Sequence, residues 1–403
     1  MQHYDVIVIG GGAAGFFGAI NICENNPKLK IAVLEKSKEV LTKVKVSGGG
    51  RCNVTHAEFI PQELVRYYPR GEKELLGPFH SFMTGDTIAW FEERGVTLKI
   101  EEDGRMFPVS DSSQTIIDCF INETKRLEID VLTSHAVKSV AKENEAWLIN
   151  SSQGDFMCNK LMIATGSSPK VWKLLEKLGH SIVPPVPSLF TFNIKDDRLK
   201  DIPGVVVQQV EVKVLGTDLE STGPLLVTHW GLSAPSILKL SAFGALELAK
   251  LNYEFHIEIN FIGMSNEVCL ESLKSLKQDL AKKTVLKSHQ FNLPKRLWWQ
   301  LIKAADIPEG RRWADLTKTE LQALTNQLTQ AVFNVDGKST FKEEFVTAGG
   351  VDLREINFKT FQSKLHDSLY LAGEVLNIDA VTGGFNFQNA WTGAFMAAKH
   401  IAG

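Results

Sequence analysis

The residues best suited to chemistry at the start of the chain are three glycines in one short turn. Gly10, Gly12 and Gly15 fit the pattern G-x-G-x-x-G and follow the apolar, β-branched stretch 4–9. The first glycine permits a sharp turn, the second lets the backbone approach a pyrophosphate, and the third lets a helix pack on the strand. The free amides of such a helix start attract negative charge. This turn therefore predicts a dinucleotide site.

A carboxylate further along the chain supports the same site. The β-rich stretch 30–34 ends at Glu35, twenty residues after Gly15. Dinucleotide-binding folds place an acid at this distance against the ribose hydroxyls of an adenosine. Strand, glycines, helix, strand and acid follow in this order, which is more specific than the glycine pattern alone.

Two further glycine-rich segments indicate which dinucleotide is bound. Residues 47–53 (S-G-G-G-R-C-N) combine a backbone that can lie flat against a ring with two hydrogen-bonding side chains, Arg51 and Asn53. Residues 382–388 (T-G-G-F-N-F-Q) expose backbone amides, and we expect Asn386 to cap the final helix. Such a helix start stabilises an anion forming on a reduced isoalloxazine. NAD has no need of these segments, so they favour FAD held by both ends of the chain.

The elements that must position these segments alternate between strand and helix. Over residues 1–187, strands are expected at 96–100, 129–132 and 161–164, and helices at 86–94 and 113–123. Alternation of this kind is typical of a doubly wound parallel sheet.

The pattern changes after the proline-rich stretch 184–187, which suits a domain crossing. The next segments are β-rich, and leucines then recur at helical spacing over 264–330. The predicted fold is α/β, a Rossmann-like FAD-binding domain with an inserted β-barrel-like domain that carries a small helical subdomain. The predicted limits are 1–187 and 346–403 for the FAD-binding domain and 188–345 for the insert, with its β unit at 188–262 and 331–345 and its helical subdomain at 263–330.

Composition narrows the classes of function. The 403 residues include 44 basic and 47 acidic side chains, a net charge of −3, which disfavours nucleic acid and anionic membrane as partners. Five scattered cysteines without C-x-x-C indicate a reducing compartment and no vicinal redox disulfide. No signal peptide and no membrane span are recognisable, so we expect a cytoplasmic protein, and no metal site is predicted. The oligomeric state stays open.

At these residues the chain resembles the BaiN-like flavoproteins, a group that includes aminoacetone oxidase. The segments 47–53 and 382–388 are its most specific motifs, and the likeness covers nearly the whole chain. It implies an FAD-binding fold of the glutathione-reductase superfamily with an inserted domain. The chain departs from the pattern at residues 41–43, where relatives show a glycine and a basic pair, and at Ala234, where they show glycine.

The resemblance also implies which residues contact FAD. The pyrophosphate would meet the glycine turn, the adenosine would meet residues around Glu35, and the flavin would meet the two glycine-rich segments. The predicted contacts are Gly10, Gly12, Ala13, Ala14, Gly15, Glu35, Lys36, Lys43, Ser47, Gly49, Arg51, Cys52, Asn53, Val137, Ala164, Thr165, Gly166, Gly373, Glu374, Gly383, Gly384, Phe385, Asn386 and Phe387.

Two reaction types follow from the resemblance: oxidation of an amine or aminoketone with dioxygen, or NAD(P)H-dependent reduction of an activated carbon–carbon double bond in a small organic substrate. His229 is the best acid–base candidate, because histidine titrates near neutrality. Its alternative is a histidine that satisfies the turn between a barrel strand and the following helix. Cys52 is either a thiol beside the ring or a packing residue.

The sequence also limits how the electron donor can bind. A second G-x-G-x-x-G module is absent from the sequence, so NAD(P)H is expected only as a transient reductant in the cleft between the FAD domain and the insert. Two alternatives stay open: a flavoprotein of tRNA modification, and an FAD-binding protein without turnover.

Overall fold

The structure is a computed structural model, and it describes residues 1–339 and 346–403. The chain divides into two compact units: Met1–Val186 combines with the C-terminal residues from 346 onward, and the second unit begins at Pro187. Each unit has a separate hydrophobic core. The predicted end of the insert at residue 345, with the last part of its β unit, lies outside the described residues.

The helices and strands are numbered in chain order. The first part of the chain contains β1 (Gln2–Ile9), α1 (Ala13–Asn25), β2 (Ile31–Leu34), α2 (Thr42–Gly50), β3 (Thr55–His56), α3 (Pro61–Leu64), α4 (Glu72–Phe79), α5 (Thr84–Glu92), β4 (Leu98–Ile100), β5 (Arg105–Pro108), α6 (Ser113–Arg126), β6 (Asp130–Leu132), β7 (Val137–Glu143), β8 (Ala146–Ser151), β9 (Gly154–Ile163), α7 (Pro169–Lys177) and β10 (Ile182–Ser188). The middle part contains β11 (Thr191–Asn193), β12 (Val206–Val214), β13 (Glu220–Val227), β14 (Gly231–Ser233), α8 (Pro235–Phe243), α9 (Ala245–Lys250), β15 (Glu254–Asn260), α10 (Asn266–Asp279), α11 (Lys295–Ala304), α12 (Lys318–Thr329), β16 (Ala331–Asp336) and β17 (Lys338–Ser339). The last part contains β18 (Val346–Val351), β19 (Ile356–Asn357), β20 (Gln362–Ser363), β21 (Leu369–Leu371) and α13 (Phe385–Ala402). Among the helices of the described residues, none combines the length and apolarity that a membrane crossing requires.

A parallel sheet forms the centre of the first unit, and this confirms the predicted fold class. Its parallel strands lie in the order β6, β2, β1, β9 and β21, and α1 packs against α13. The side chains of Val6, Ile7 and Val8 in β1 are fully buried, as the β-branched stretch predicts. Because parallel strands end at the same edge of a sheet, the turns after β1, β2, β9 and β21 lie side by side.

One strand that was predicted for the parallel sheet belongs to a different sheet. β4 (Leu98–Ile100), expected from the alternating pattern, pairs with β5 and belongs with β3 to a small antiparallel sheet. The reason is local: Gly104 donates its backbone N–H to the Glu101 carbonyl, which folds residues 98–108 into a hairpin. The predicted strands around Val131 and Met162 do join the parallel sheet, as β6 and the end of β9.

The second unit is a closed antiparallel sheet with helices attached. Its strands lie in the order β16, β15, β12, β13, β14, β11 and β17. Only Gly337 separates β16 from β17, so one chain segment pairs with β15 at one end and with β11 at the other. The sheet thus closes into the predicted barrel. Leu273 of α10 and Leu324 of α12 are fully buried, as their helical spacing predicts.

Candidate cofactor site

The turn between β1 and α1 has the geometry that each of its glycines predicts. A Cβ atom on Gly10 would lie 2.4 Å from the Ala164 carbonyl oxygen, and one on Gly15 would lie 1.9 Å from the Gly10 oxygen. Both positions therefore exclude any side chain. A Cβ atom on Gly12, by contrast, would meet no heavy atom of the described residues within 4 Å. The backbone at Gly12 faces open space, as the approach of a pyrophosphate requires.

Glu35 lies beside this turn, at the end of β2. One oxygen of its carboxylate accepts a hydrogen bond of 2.8 Å from the Gly11 N–H, and the other accepts one of 2.8 Å from Ser37. Lys36 between them is exposed. The acid predicted for the adenosine ribose is thus fixed next to the glycine turn.

The other predicted adenosine contacts lie on neighbouring strands. Ala164 directly follows β9 and donates its N–H to the Ile9 carbonyl, which places Thr165 and Gly166 beside the end of β1. Val137 is the first residue of β7 and is half-buried. These placements follow from the order of the strands in the sheet.

An ion pair joins the two chain ends that were predicted to surround the flavin. The Lys43 Nζ lies 2.6 Å from the Glu374 Oε2, although 331 positions separate the residues in sequence. A Cβ atom on Gly166 would lie 3.7 Å from the same glutamate oxygen. The structure thus brings three predicted contacts, from three distant segments, to one place.

The segment 47–53 departs from helical geometry as soon as its glycines begin. Ser47 has an extended backbone, with ψ of 147°, and its side chain donates to the Val44 carbonyl. Cβ atoms on Gly49 or Gly50 would contact no described heavy atom within 4 Å, whereas one on Gly48 would strike Phe107. Two of the three glycines therefore face open space, as a flat ring placed against the backbone requires.

Two side chains of this segment, Cys52 and Arg51, point away from the open space beside Gly49 and Gly50. The Cys52 side chain is fully buried, and burial raises the pKa of its thiol to about 12. The Arg51 guanidinium lies 2.5 Å from the Glu101 carboxylate and 3.9 Å from the centre of the Phe107 ring. For Cys52 the packing interpretation is therefore favoured, and Arg51 is held by an acid of the protein.

The start of the final helix corrects one expectation. Asn386 does not cap α13, because the N-cap residue is Gly384 and Asn386 lies inside the first turn. Its amide instead makes two bonds to the Ala380 backbone, accepting at 3.0 Å and donating at 3.2 Å. A Cβ atom on Gly384 would lie 2.6 Å from the Thr55 carbonyl, so the segments 47–55 and 382–384 are in direct contact.

Comparison with known proteins identifies the class of this site. The family described as "HI0933-like protein Rossmann domain" matches residues 4–400. The chain belongs to this family. The predicted resemblance and the predicted class, an FAD-dependent oxidoreductase, are thereby confirmed.

Proteins that are similar in sequence to this HI0933-like chain include enzymes with two different names. A ribosomal RNA dihydrouridine synthase of Escherichia coli (strain K12) is 28% identical over 100% of this chain and 98% of its own length. A 3-dehydro-bile acid delta(4,6)-reductase of Clostridium scindens is 24% identical over 98% of both chains. The solved 3-ketosteroid-delta4-(5alpha)-dehydrogenase of Rhodococcus jostii RHA1 is 11% identical, with a TM-score of 0.53 over 100% of this chain and 97% of that one, and shares the fold.

The residues of this HI0933-like site fit FAD. The space at Gly12 suits a pyrophosphate and the space at Gly49 and Gly50 suits a flat ring, since no described side chain or backbone atom fills either. The start of α13 supplies free backbone amides, which favour negative charge. Its residue Phe387 stacks on Trp391 with ring centres 5.5 Å apart, so it is fixed within the helix.

Sequence reasoning missed an aromatic cluster at the same place. The His56 ring stacks on Phe385 at 4.5 Å between ring centres, and Tyr67 stacks on Phe385 at 4.2 Å. The His56 Nδ1 lies 3.1 Å from the Gly383 carbonyl oxygen. Burial lowers the pKa of His56, an effect that this carbonyl partly opposes. The only available signal was its position three residues after the motif that ends at Asn53.

A buried ion pair was missed as well. Asp379 is fully buried and pairs with Arg70 through both of its carboxylate oxygens. The pair fixes the chain directly before Ala380, to which Asn386 bonds. The approach to the glycines before α13 is therefore held by side chains from two regions of the sequence.

His229 lies in the second unit, in the turn between β13 and β14. The turn is closed by Thr228, whose hydroxyl accepts a hydrogen bond of 3.1 Å from the Gly231 N–H. His229 itself is exposed, and none of the described residues hydrogen-bonds to its ring. The turn joins two strands, and the side chain that hydrogen-bonds within it is that of Thr228.

Proposed function

We propose that this protein uses reduced FAD to add hydride to a carbon–carbon double bond that is conjugated with a carbonyl group. The observation that carries the proposal is the joining of segments 42–50 and 373–384 through Lys43 and Glu374, with open space at Gly49 and Gly50. The named substrates of the relatives guide the choice of acceptor. Uracil in RNA and a bile-acid dienone both contain a double bond conjugated with a carbonyl.

The residues divide the work of holding the cofactor. Gly12 and the amides at the start of α1 bind the pyrophosphate, and Glu35 binds the adenosine ribose. The backbone around Gly49 carries the ring, and the start of α13 favours negative charge at its carbonyl edge. When bound, FAD supplies the hydride, and the protein orients the acceptor beside it.

The reduction also needs a proton. Hydride adds to the carbon β to the carbonyl, and one proton completes the saturated bond at the α carbon. His229 is the proposed general acid, because its ring is exposed and histidine exchanges protons near neutral pH. NAD(P)H is the proposed transient reductant, and the cytoplasm is the proposed location of the reaction.

The test is to reduce the purified holoprotein with NADH or NADPH without oxygen and then to mix it with separate acceptors. These are a small enone, a quinone, dioxygen and protein-free ribosomal RNA that lacks dihydrouridine. We expect the flavin absorbance to return faster with the enone or the RNA than with the quinone or dioxygen. Reduction by an aminoketone without NAD(P)H, followed by fast reoxidation with dioxygen, would instead establish an amine oxidase.

A second, narrower candidate is the reduction of uracil within RNA. It is favoured by two relatives named ribosomal RNA dihydrouridine synthase, at 28% and 26% identity over 100% of this chain. Mass spectrometry of the RNA after the reaction would detect a gain of two hydrogens on uridine. RNA that leaves the flavin reduced, beside an enone that oxidises it, would restrict the activity to small molecules.

A further inference from the structure

The chain contains a strongly basic segment, although its net charge is close to neutral. From Lys274 to Lys318 the sequence contains eleven lysine and arginine residues against four aspartate and glutamate residues, a net charge of +7. Because the whole chain carries −3, the other residues carry −10. The segment spans the end of α10, all of α11 and the start of α12.

Eight of these basic side chains are exposed and form no ion pair with any acid of the described residues. We call six of them the basic surface: Lys282, Lys283, Lys287, Lys295, Lys303 and Arg312. Other basic residues of the segment are engaged, since Lys274 pairs with Glu271 and Arg311 pairs with Glu320. The acids of the segment, Asp279, Asp306, Glu309 and Asp315, are exposed but fewer, so the positive charge remains in excess.

Two hydrogen bonds to backbone carbonyls bring the basic surface together from three stretches of chain. The Trp299 indole donates to the Leu286 carbonyl at 2.9 Å, which anchors α11 beside Lys287. On the other edge, the Trp313 N–H donates to the Lys283 carbonyl at 3.0 Å, which places Arg312 beside Lys283. The stretch 282–288 therefore lies between α11 and residues 311–313.

Helix α11 displays its charges on one face. Leu297, Trp298, Leu301 and Ile302 are buried, whereas Lys295, Trp299 and Lys303 recur every fourth residue on the exposed side. The Trp299 side chain is 40% exposed, and the Lys295 Nζ lies 5.0 Å from the centre of its ring. Lysines around an exposed aromatic ring provide phosphate contacts and a stacking surface for a base.

We propose that the basic surface binds RNA through backbone phosphates, with Trp299 as a stacking platform. The proposal rests on the proposed function in so far as RNA would be the substrate that this surface holds. RNA is favoured over an anionic membrane because the apolar side of α11 is buried in the core of the second unit. A helix that lies in a membrane interface exposes such a face.

The experiment measures binding of the FAD-loaded full-length protein to protein-free ribosomal RNA in a filter assay over a range of salt concentrations. The test variant is K287E/K295E/K303E, and the matched control is K28E/K125E/K359E, three exposed lysines of the first unit without a described ion pair. We expect the test variant to bind about 30-fold more weakly, with a salt slope reduced by about two to three, and the control to stay within threefold. Flavin content and reduction of a small enone should be unchanged in both.

Several outcomes would overturn the proposal. Equal weakening in both variants would show a nonspecific charge effect, and retained affinity in the test variant would place the RNA site elsewhere. Binding of the wild type to phosphatidylglycerol vesicles, lost in the test variant while RNA binding persists, would assign the surface to membranes. If the glutamate variant does not fold, K287Q/K295Q/K303Q replaces it.

The same assay separates this proposal from the proposed function. A protein that reduces an enone but does not bind RNA leaves the proposed reaction intact and rejects the surface. A protein that binds RNA through the basic surface but reoxidises with no conjugated double bond rejects the reaction and keeps the surface.

Discussion

Two glycine turns precede helices of the first unit, and they differ in what requires the glycine. At the turn before α1, a Cβ atom on Gly15 would strike the Gly10 carbonyl, five positions away in the sequence. At the turn before α13, a Cβ atom on Gly384 would strike the backbone of Thr55, more than three hundred positions away. Gly15 is thus required by a local contact and Gly384 by a contact between chain ends, although Gly10 of the first turn also lies against Ala164. A motif can be recognised from sequence in both cases, but its reason only in the first.

The largest effect expected from this comparison is at Gly12, the glycine whose added side chain would meet open space. Gly12→Val leaves the fold intact, because its backbone has an ordinary negative φ of −100°. The new methyl groups occupy the space of the pyrophosphate, so FAD affinity should fall by about 100-fold or more. The measurement is flavin content after purification and titration of the apoprotein with FAD.

Gly12→Ala provides the graded step between wild type and the valine variant. A folded valine variant that stays yellow with unchanged FAD affinity would show that the pyrophosphate lies elsewhere.

His229 lies outside both turns. A variant at this position therefore distinguishes a loss of turnover from a loss of FAD binding. If it is the general acid, His229→Ala should slow turnover by about 10²-fold and leave the FAD content unchanged. The measurement is reoxidation of the reduced flavin by the acceptor identified in the function screen. His256→Ala, at another exposed histidine of the same barrel, is the control and should turn over normally. Parallel loss of FAD and activity in His229→Ala would make the residue structural.

The second turn is tested through stability. Gly384 has a φ of +94°, and its added Cβ atom would lie 2.6 Å from the Thr55 backbone. Gly384→Ala should therefore lower the free energy of unfolding by about 2–4 kcal/mol. Gly85→Ala is the matched control, because its Cβ atom would contact no described atom within 4 Å, and it should be neutral or stabilising by up to about 1 kcal/mol.

Chemical denaturation of both alanine variants provides the comparison. A Gly384→Ala protein as stable as Gly85→Ala would mean that the contact between residues 55 and 384 is not required in solution.

The same distinction explains how far the sequence was informative. The β1 turn, Glu35 and the leucine pattern of α10 and α12 were predictable because each follows a fixed spacing along the sequence, even though Glu35 accepts its hydrogen bond from Gly11, 24 positions away. Asn386 was misassigned as a cap because its bonds to Ala380 depend on how the preceding loop folds. The stacking of His56 on Phe385 joins residues far apart in sequence, and no local pattern records it.

The basic surface was missed for a different reason. Whole-chain charge averages over segments of opposite sign, so the excess from Lys274 to Lys318 disappears in a total of −3. Arg311 and Arg312 are adjacent in sequence, but only the structure shows that the first is paired with Glu320 while the second is exposed. Charge counted along segments is therefore a better guide to partners than net charge.

The smallest expected effect is a dependence of the free energy of unfolding on pH. It tests only the turn before α13, because His56 contacts Gly383 but no residue of the turn before α1. Burial lowers the pKa of His56 in the folded protein, so the unfolded chain binds more protons below about pH 6.5. The free energy of unfolding should therefore fall as the pH decreases from about 6.5 and level off below the folded-state pKa. Burial also lowers the pKa of His180, so the wild-type slope contains both contributions.

Denaturant unfolding at about pH 7.5 and about pH 5.5 isolates the contribution of His56. His56→Gln removes the titrating group and keeps a hydrogen-bonding side chain, so it should lose less stability at the lower pH than the wild type. His3→Gln, at an exposed histidine of β1, should keep the wild-type dependence. If His56→Gln also keeps it, the imidazole is not buried against Phe385 in solution, and the contact between the two chain ends is looser than its geometry indicates.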